Sequence, residues 1–193
     1  MIDKGLLYLD ARVPKREIVE TPNPLDRLED FVVTQEEAEK FANPDFIIDG
    51  LIVRGQLHII AAAPNGGKTT IFFHLAAEIV SKGFDVAYVH ADISGGDAKE
   101  FVRQAYRAQI KLLLPDMKAG MSMNDVVLRL EKINNTQMDL SGQVFIFDTL
   151  KKMTDVINKS ATKRLLGTLR GLTAKGATVI CLAHTNKYNG KDG

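Results

Sequence analysis

Residues 57–81 contain the pattern that most constrains the fold of this chain. An apolar run at 57–62 leads into a loop of small residues, Ala63-Pro-Asn-Gly-Gly67, and then into Lys68-Thr69 at the start of a helical pattern. This order of strand, loop and helix is typical of a phosphate-binding loop. Small residues let the backbone curl so that successive N–H groups point at phosphate oxygens, and the helix dipole adds positive potential. The pattern therefore predicts a strand–loop–helix unit that binds nucleotide phosphates.

The residues of this loop have separate predicted roles. Lys68 is expected to reach the β- and γ-phosphates of ATP, and the Thr69 hydroxyl to ligate Mg²⁺. The usual pattern begins with Gly where this chain has Ala62, and Ala suits that position only if its φ is negative. An ordinary Gly-rich turn is the alternative, but it does not explain Gly-Lys-Thr at the start of the helix. The predicted ATP-binding residues are Ala63, Pro64, Asn65, Gly66, Gly67, Lys68, Thr69 and Thr70.

Composition narrows the class of protein. The chain has 193 residues, of which 45% are hydrophobic and 25% charged, as in an ordinary globular domain. The net charge of +1 excludes a positive potential over the whole surface that would attract nucleic acid. Any nucleic-acid binding must therefore depend on local groups of basic residues. The single cysteine, Cys181, excludes a disulfide framework and favours a reducing compartment. Without an apolar run near the ~20 residues that cross a bilayer, we expect a cytoplasmic protein with no membrane partner.

Strands and helices alternate along most of the chain. Residues 1–43 are interpreted as an N-terminal arm with a short helix capped at Thr34, and residues 44–193 as the core, opening with a turn or hairpin at 46–54. The continuous apolar strands predict an α/β fold whose mainly parallel sheet is covered on both faces. Residues 112–114 either end a helix or form a short strand. The predicted strands are 57–62, 85–91, 143–148 and 177–183, and the helices 68–81, 97–110, 122–134 and 160–174.

Val144-Phe-Ile-Phe-Asp148 is the expected companion of a phosphate-binding loop. Four apolar residues bury the strand, and the acid at its carboxyl end is placed to reach Mg²⁺ beside the nucleotide. An Asp that ends a strand often only caps a turn. Its position about 80 residues after Lys68, with alternating elements between, favours the metal role for Asp148.

With the phosphate-binding loop and the strand ending at Asp148 both present, the chain resembles the RecA-type ATPases of the AAA-family ATP-binding class. The likeness is greatest to RepA-like hexameric replicative helicases, which are related to DnaB-type helicases and KaiC, and it covers residues 44–190. It implies a RecA-like three-layer α/β/α fold. The pieces that carry it are Pro44-Asp45-Phe46 through Arg54-Gly55, Ala62 to Thr70, Val89-His-Ala-Asp92, Arg103, Phe145 to Asp148, and Cys181-Leu-Ala-His184-Thr-Asn-Lys187.

The resemblance implies further site residues. Asp92 stands where the family usually has a Glu that orients the attacking water, and a turn cap is its structural alternative. His184 stands where relatives have a γ-phosphate sensor, with a satisfied core histidine as the alternative. Lys187 would act on the ATP of a neighbouring subunit, or it is a solvated lysine. The loops after the Asp148 and His184 strands would contact nucleic acid; their candidate residues are Lys151, Lys152 and Lys191.

The resemblance also implies a strand order. The His184 strand should lie between the phosphate-loop strand and the Asp148 strand, while the C-terminal strands of relatives are lacking. Residues 57–63 would then form a sheet edge, which needs protection. Residues 46–54 or another chain could protect this edge, or the sequence is a fragment of a longer protein. We favour the fragment, and expect a core truncated at its C-terminus.

The leading functional hypothesis is an ATP-hydrolysing RecA-type motor, a RepA-like DNA helicase or replication ATPase. Expected partners are further copies of the chain, in a hexameric ring or filament, and single-stranded DNA. The alternative is an ATP-dependent switch or assembly module with little hydrolysis and no helicase activity. A small-molecule kinase would need an Arg-rich lid, which does not occur between Leu150 and Gly176.

Overall fold

The computed structural model describes residues 23–41, 43–93, 95–154 and 158–185. The chain divides into two units between Asn43 and Pro44. The first unit holds a 3₁₀ helix, Pro24–Phe31, and the short helix α1, Gln35–Ala38. The Thr34 hydroxyl accepts a hydrogen bond from the Glu37 N–H, and the Glu37 carboxylate accepts one from the Thr34 N–H. This is the predicted capping box at the start of α1.

The second unit contains the remaining helices and strands. A small antiparallel pair comes first, formed by β1, Phe46–Ile48, and β2, Ile52–Val53. Of the turn and the hairpin that the sequence left open for this segment, the hairpin forms. The main elements alternate in chain order. They are β3 Leu57–Ala62, α2 Lys68–Ser81, β4 Asp85–His90, α3 Gly95–Arg107, β5 Lys111–Leu113, α4 Met123–Asn134, β6 Gln143–Asp148, α5 Lys159–Ala174 and β7 Thr178–His184.

Strands β3 to β7 form one five-stranded sheet in the order β3-β7-β6-β4-β5, and every pair in it is parallel. Helices cover both faces. Residues of α2 and α3 pack with Ile180 and Leu182 of β7, whereas residues of α4 and α5 pack with Val179 and Cys181 of the same strand. Because successive side chains of a strand point to opposite faces, one strand contributes to both halves of the core. The α/β/α prediction is confirmed.

The sheet order places β7 between β3 and β6, in agreement with the order that the resemblance implies. Strand β3 is an edge of the sheet as far as the described residues extend, and Ile59 on it is 49% exposed. The β1–β2 pair forms a separate sheet and does not pair with β3. It contributes instead to the core, because Ile47 and Ile52 are buried against the side of the sheet that α2 covers.

Several element boundaries differ from the sequence prediction, most of them by one residue and those of α3 by two or three. Helix α3 covers Gly95–Arg107 rather than 97–110, because Gln109 adopts a left-handed φ of 56° that ends the helix and turns the chain into the next strand. Residues 112–114 were left open between a helix end and a strand. The strand β5 forms there, since Leu112 pairs with Tyr88 of β4.

Candidate functional site

Most of the predicted catalytic and metal-binding residues meet at the carboxyl edge of the sheet. Parallel strands end at the same edge, so residues that follow β3, β4, β6 and β7 come together although they are far apart in sequence. A cavity of about 310 Å³ opens there. Its lining residues are Asn65, Gly66, Gly67, Lys68, Thr69, His90, Asp92, Asp148 and His184.

The loop between β3 and α2 has the tight turn that a phosphate-binding loop needs. Asn65 and Gly67 take left-handed φ values of 59° and 73°. A Cβ on Gly66 would lie 3.0 Å from the carbonyl oxygen of Ala63, so a side chain there would crowd the loop backbone. Ala62 has no positive φ and belongs to β3, which meets the condition for replacing the usual Gly. The loop is therefore sterically compatible with this sequence.

Lys68 is buried at the base of this loop, with 7% of its surface exposed. Its Nζ donates hydrogen bonds to the carbonyl oxygens of Ala62 at 2.9 Å and Ala63 at 2.8 Å. The same atom lies 3.3 Å from Nδ1 of His184, at the end of β7. The ammonium therefore sits inside the loop, where an incoming phosphate would compete with the two carbonyls for its protons.

Thr69 and Asp148 form the second polar pair of the cavity. The Thr69 hydroxyl donates to Oδ2 of Asp148 at 2.7 Å, and the buried Tyr88 hydroxyl donates to the same oxygen at 3.0 Å. Hydroxyl and carboxylate oxygens suit Mg²⁺, which proteins usually hold through one or two carboxylates together with phosphates and waters. No group of three or more His, Cys, Asp or Glu side chains in the described part of the chain could hold a metal ion. The donors thus fit a magnesium ion shared with a nucleotide.

Asp92 follows β4 by two residues and reaches the cavity from the side of the neighbouring strand. The N–H of Ala91 donates to the carbonyl oxygen of Asp148 at 2.7 Å, so the chain leaving β4 stays beside β6. The Asp92 carboxylate is half-exposed and lies 3.5 Å from Nζ of Lys152. This places Lys152, predicted as a nucleic-acid residue, beside the cavity.

Two residues beside Asp148 were not assigned a role at the site by the sequence. Tyr88 is a fully buried tyrosine whose hydroxyl reaches Asp148, and its only sequence signal is a polar tip within an apolar strand. His90, to which the sequence assigned no role of its own, lines the cavity next to Asp148 and Asp92. Burial lowers the pKa of His90, and the charges of Asp148 and Asp92 partly offset this. Burial therefore favours the neutral form of this imidazole.

Several predicted residues do not line the cavity. Ala63 contributes its carbonyl to Lys68, while Pro64 is an exposed loop residue. Thr70 lines a different cavity of about 660 Å³ between α2 and α3. Lys151 is exposed on the 3₁₀ turn Leu150–Lys152. Lys187 and Lys191 lie outside the described residues, so their roles stay predictions.

The fold and the cavity together define a P-loop ATPase-like domain with the RecA-like three-layer architecture. The chain belongs to the AAA domain family, whose model matches residues 21–190. No curated protein matches the sequence.

A solved structure described as a unique ATP synthase subunit, NeqB from Nanoarcheaum equitans, has a similar fold. The TM-score is 0.53 at 12% sequence identity, and the alignment covers 78% of this chain and 47% of that chain. This chain thus spans about half the length of that subunit. At this identity, the likeness shows the fold alone.

In the described ranges, no helix is both long enough and apolar enough to cross a membrane.

Proposed function

We propose that this chain is an ATP-hydrolysing motor domain of the RecA type, and that it acts as a RepA-like DNA helicase or replication ATPase. Membership of the AAA domain family supports a nucleotide triphosphatase. The observation that carries the proposal is the set of side chains around one cavity. A buried lysine, a hydroxyl–carboxylate pair, a second carboxylate and a histidine surround a volume of about 310 Å³.

Lys68 and the loop backbone bind the phosphates in this proposal. The ammonium exchanges its contacts with the Ala62 and Ala63 carbonyls for oxygens of the β- and γ-phosphates. Thr69 and Asp148 would hold Mg²⁺, which when bound would neutralise charge on the phosphates. Tyr88 keeps Asp148 oriented, because its hydroxyl donates to the carboxylate from the buried side.

Asp92 is the proposed acceptor for the proton of the attacking water. Asp92 lines the same cavity as the loop, and a general base needs only to reach the water directly or through a second water. His184 ends β7, and its Nδ1 lies 3.3 Å from Nζ of Lys68, so its imidazole would hydrogen-bond a terminal phosphate and lose that partner after hydrolysis.

The second candidate function is an ATP-dependent switch or assembly module with little hydrolysis. One observation favours it. Asp92 is one methylene shorter than the Glu usual at this position. A carboxylate that reaches the water poorly would slow hydrolysis while leaving nucleotide binding intact.

The proposal extends to partners. RecA-type sites work between subunits, so we propose a head-to-tail homo-oligomer, a ring of six or a filament, in which Lys187 acts on the neighbour's ATP. Single-stranded DNA would be contacted by lysines of the loops that follow β6 and β7, Lys151 and Lys191 among them.

The test is ATP hydrolysis by the purified chain, measured with Mg²⁺ or a chelator and with or without single-stranded DNA. We expect Mg²⁺-dependent turnover that Lys68→Ala lowers by at least about 100-fold, because the charge that stabilises the transition state is lost. Lys163→Ala, which removes an exposed lysine of α5, is the matched control. Stimulation of ATP hydrolysis by DNA would support the motor. ATP binding without turnover would support the switch. Unchanged turnover in Lys68→Ala would overturn the site.

A further inference from the structure

The ion pair between Lys152 and Asp92 joins two segments that the sheet brings side by side. Asp92 lies two residues beyond β4, and Lys152 lies four residues beyond β6. These strands are parallel neighbours in which His90 pairs with Asp148. Side chains leaving adjacent strand ends therefore meet over the cavity, and Nζ of Lys152 lies 3.5 Å from Oδ1 of Asp92.

The backbone that carries Lys152 is firmly held. The Thr149 hydroxyl is buried and donates to the carbonyl oxygen of Leu182 in β7 at 2.9 Å. Met153 is buried with the core residues on the α5 side of the sheet, and Leu150 packs against them. The N–H groups of Lys152 and Met153 donate to the carbonyls of Thr149 and Leu150. The ammonium thus extends from a rigid turn, which is what a positioning residue requires.

Asp92 has few other constraints. Its side chain is 56% exposed, and its own N–H makes a long hydrogen bond of 3.4 Å to Nδ1 of His90. A short and half-exposed carboxylate samples several rotamers in water. An ion pair of this kind is weak in the open cavity and strengthens when a bound nucleotide excludes water.

We propose that Lys152 is a positioning residue for ATP hydrolysis, which holds the Asp92 carboxylate in the orientation that accepts the proton of the attacking water. The role differs from the nucleic-acid contact predicted for this lysine. It rests on the proposed function, since it assumes that Asp92 acts as the base. No contact of Lys152 with ATP is involved, so its loss lowers turnover rather than substrate affinity.

The experiment compares steady-state ATP hydrolysis, without DNA, for wild type, Lys152→Ala, Lys152→Arg and the control Lys163→Ala. We expect kcat of Lys152→Ala to fall by about 10- to 100-fold with KM nearly unchanged, because a misplaced base costs rate and not binding. Lys152→Arg should recover most of the rate, since the longer cation still reaches Asp92. Affinity for a fluorescent ATP analogue, equal in all four proteins, shows that each is folded.

Other outcomes overturn the inference. Equal rates for Lys152→Ala and Lys163→Ala would mean that the ion pair has no part in hydrolysis. A raised KM alone would make Lys152 a phosphate ligand, and a raised kcat would make the pair inhibitory. If Lys152→Ala changed the rate only when single-stranded DNA was added, Lys152 would contact nucleic acid rather than position Asp92. If the wild-type protein binds ATP but does not hydrolyse it, the proposed function fails and the inference fails with it. The wild-type rate therefore distinguishes this failure from a failure of the inference about Lys152 alone.

Discussion

Replacing Tyr88 with Phe tests how the buried carboxylate of Asp148 is held. The Tyr88 side chain is fully buried, and its hydroxyl donates to Oδ2 of Asp148 at 3.0 Å. Its ring packs edge-on against Phe73, with 5.6 Å between the ring centroids. Phenylalanine keeps this ring contact, so the substitution removes the hydroxyl and little else.

The expected cost follows from the hydrogen bond that is lost. A hydrogen bond to a charged group contributes about 1.5–3 kcal/mol, and Asp148, which is 5% exposed, has little access to water that could replace it. We therefore expect the free energy of unfolding at neutral pH to fall by about 1.5–3 kcal/mol, which lowers Tm by roughly 3–12 °C in a protein of this size. The Thr69 hydroxyl still donates a hydrogen bond to Asp148, so we expect the carboxylate to keep its place in the cavity.

The difference between the two proteins should depend on pH. Burial first, then the charge of Asp148 and the hydrogen bond to it, raise the pKa of Tyr88 well above its ordinary value. Because the folded-state pKa exceeds the unfolded-state value, the contribution of Tyr88 is complete below about pH 10 and is lost as the pH rises toward the folded-state pKa. The advantage of wild type over Tyr88→Phe should therefore shrink above about pH 10, by at most about 1.4 kcal/mol per pH unit.

Urea unfolding followed by circular dichroism, at neutral pH and at several values above about pH 10, measures both effects. Tyr106→Phe is the matched control. Tyr106 lies on α3 and is 86% exposed, so this substitution removes the same hydroxyl group from a side chain that faces water. Coincident unfolding curves for Tyr88→Phe and Tyr106→Phe at neutral pH would refute the reasoning. A difference in the free energy of unfolding between wild type and Tyr88→Phe that does not change with pH would also refute it.

Three further outcomes are expected. Asp148→Ala should lower Mg²⁺-dependent turnover while keeping some nucleotide binding, and a Mg²⁺ titration identical to that of wild type would remove Asp148 from the metal. Asp92→Asn should stop hydrolysis with ATP affinity nearly intact, whereas Asp92→Glu should equal or exceed wild type; if neither changes the rate, Asp92 is a turn cap and the switch becomes the better hypothesis. Burial raises the pKa of the Cys181 thiol to about 12, so a thiol reagent at about pH 8 should label Cys181 only in the unfolded chain; rapid labelling of the folded protein would contradict its burial.

Local features of this protein could be predicted from the sequence. The capping box at Thr34 and the limits of α2 and β6 agree with the structure. Each depends on groups a few residues apart, on backbone preferences or on continuous apolar runs, and all of these are visible in the order of the residues. The end of α3 at Arg107 was missed, because a left-handed Gln109 has no distinctive signal of its own.

The composition of the site was decided partly by the sequence and partly by the sheet. The loop from Ala62 to Thr69 is contiguous, so its shape follows from its own small residues and the helix that begins at Lys68. The contacts of Tyr88 with Asp148 and of Lys152 with Asp92 join residues 60 apart in chain position. They exist because β4 and β6 pair in parallel and in one register, and a shift of one residue would turn these side chains to the other face. Only the tertiary structure fixes that pairing, since strand register depends on the packing of both faces of the sheet.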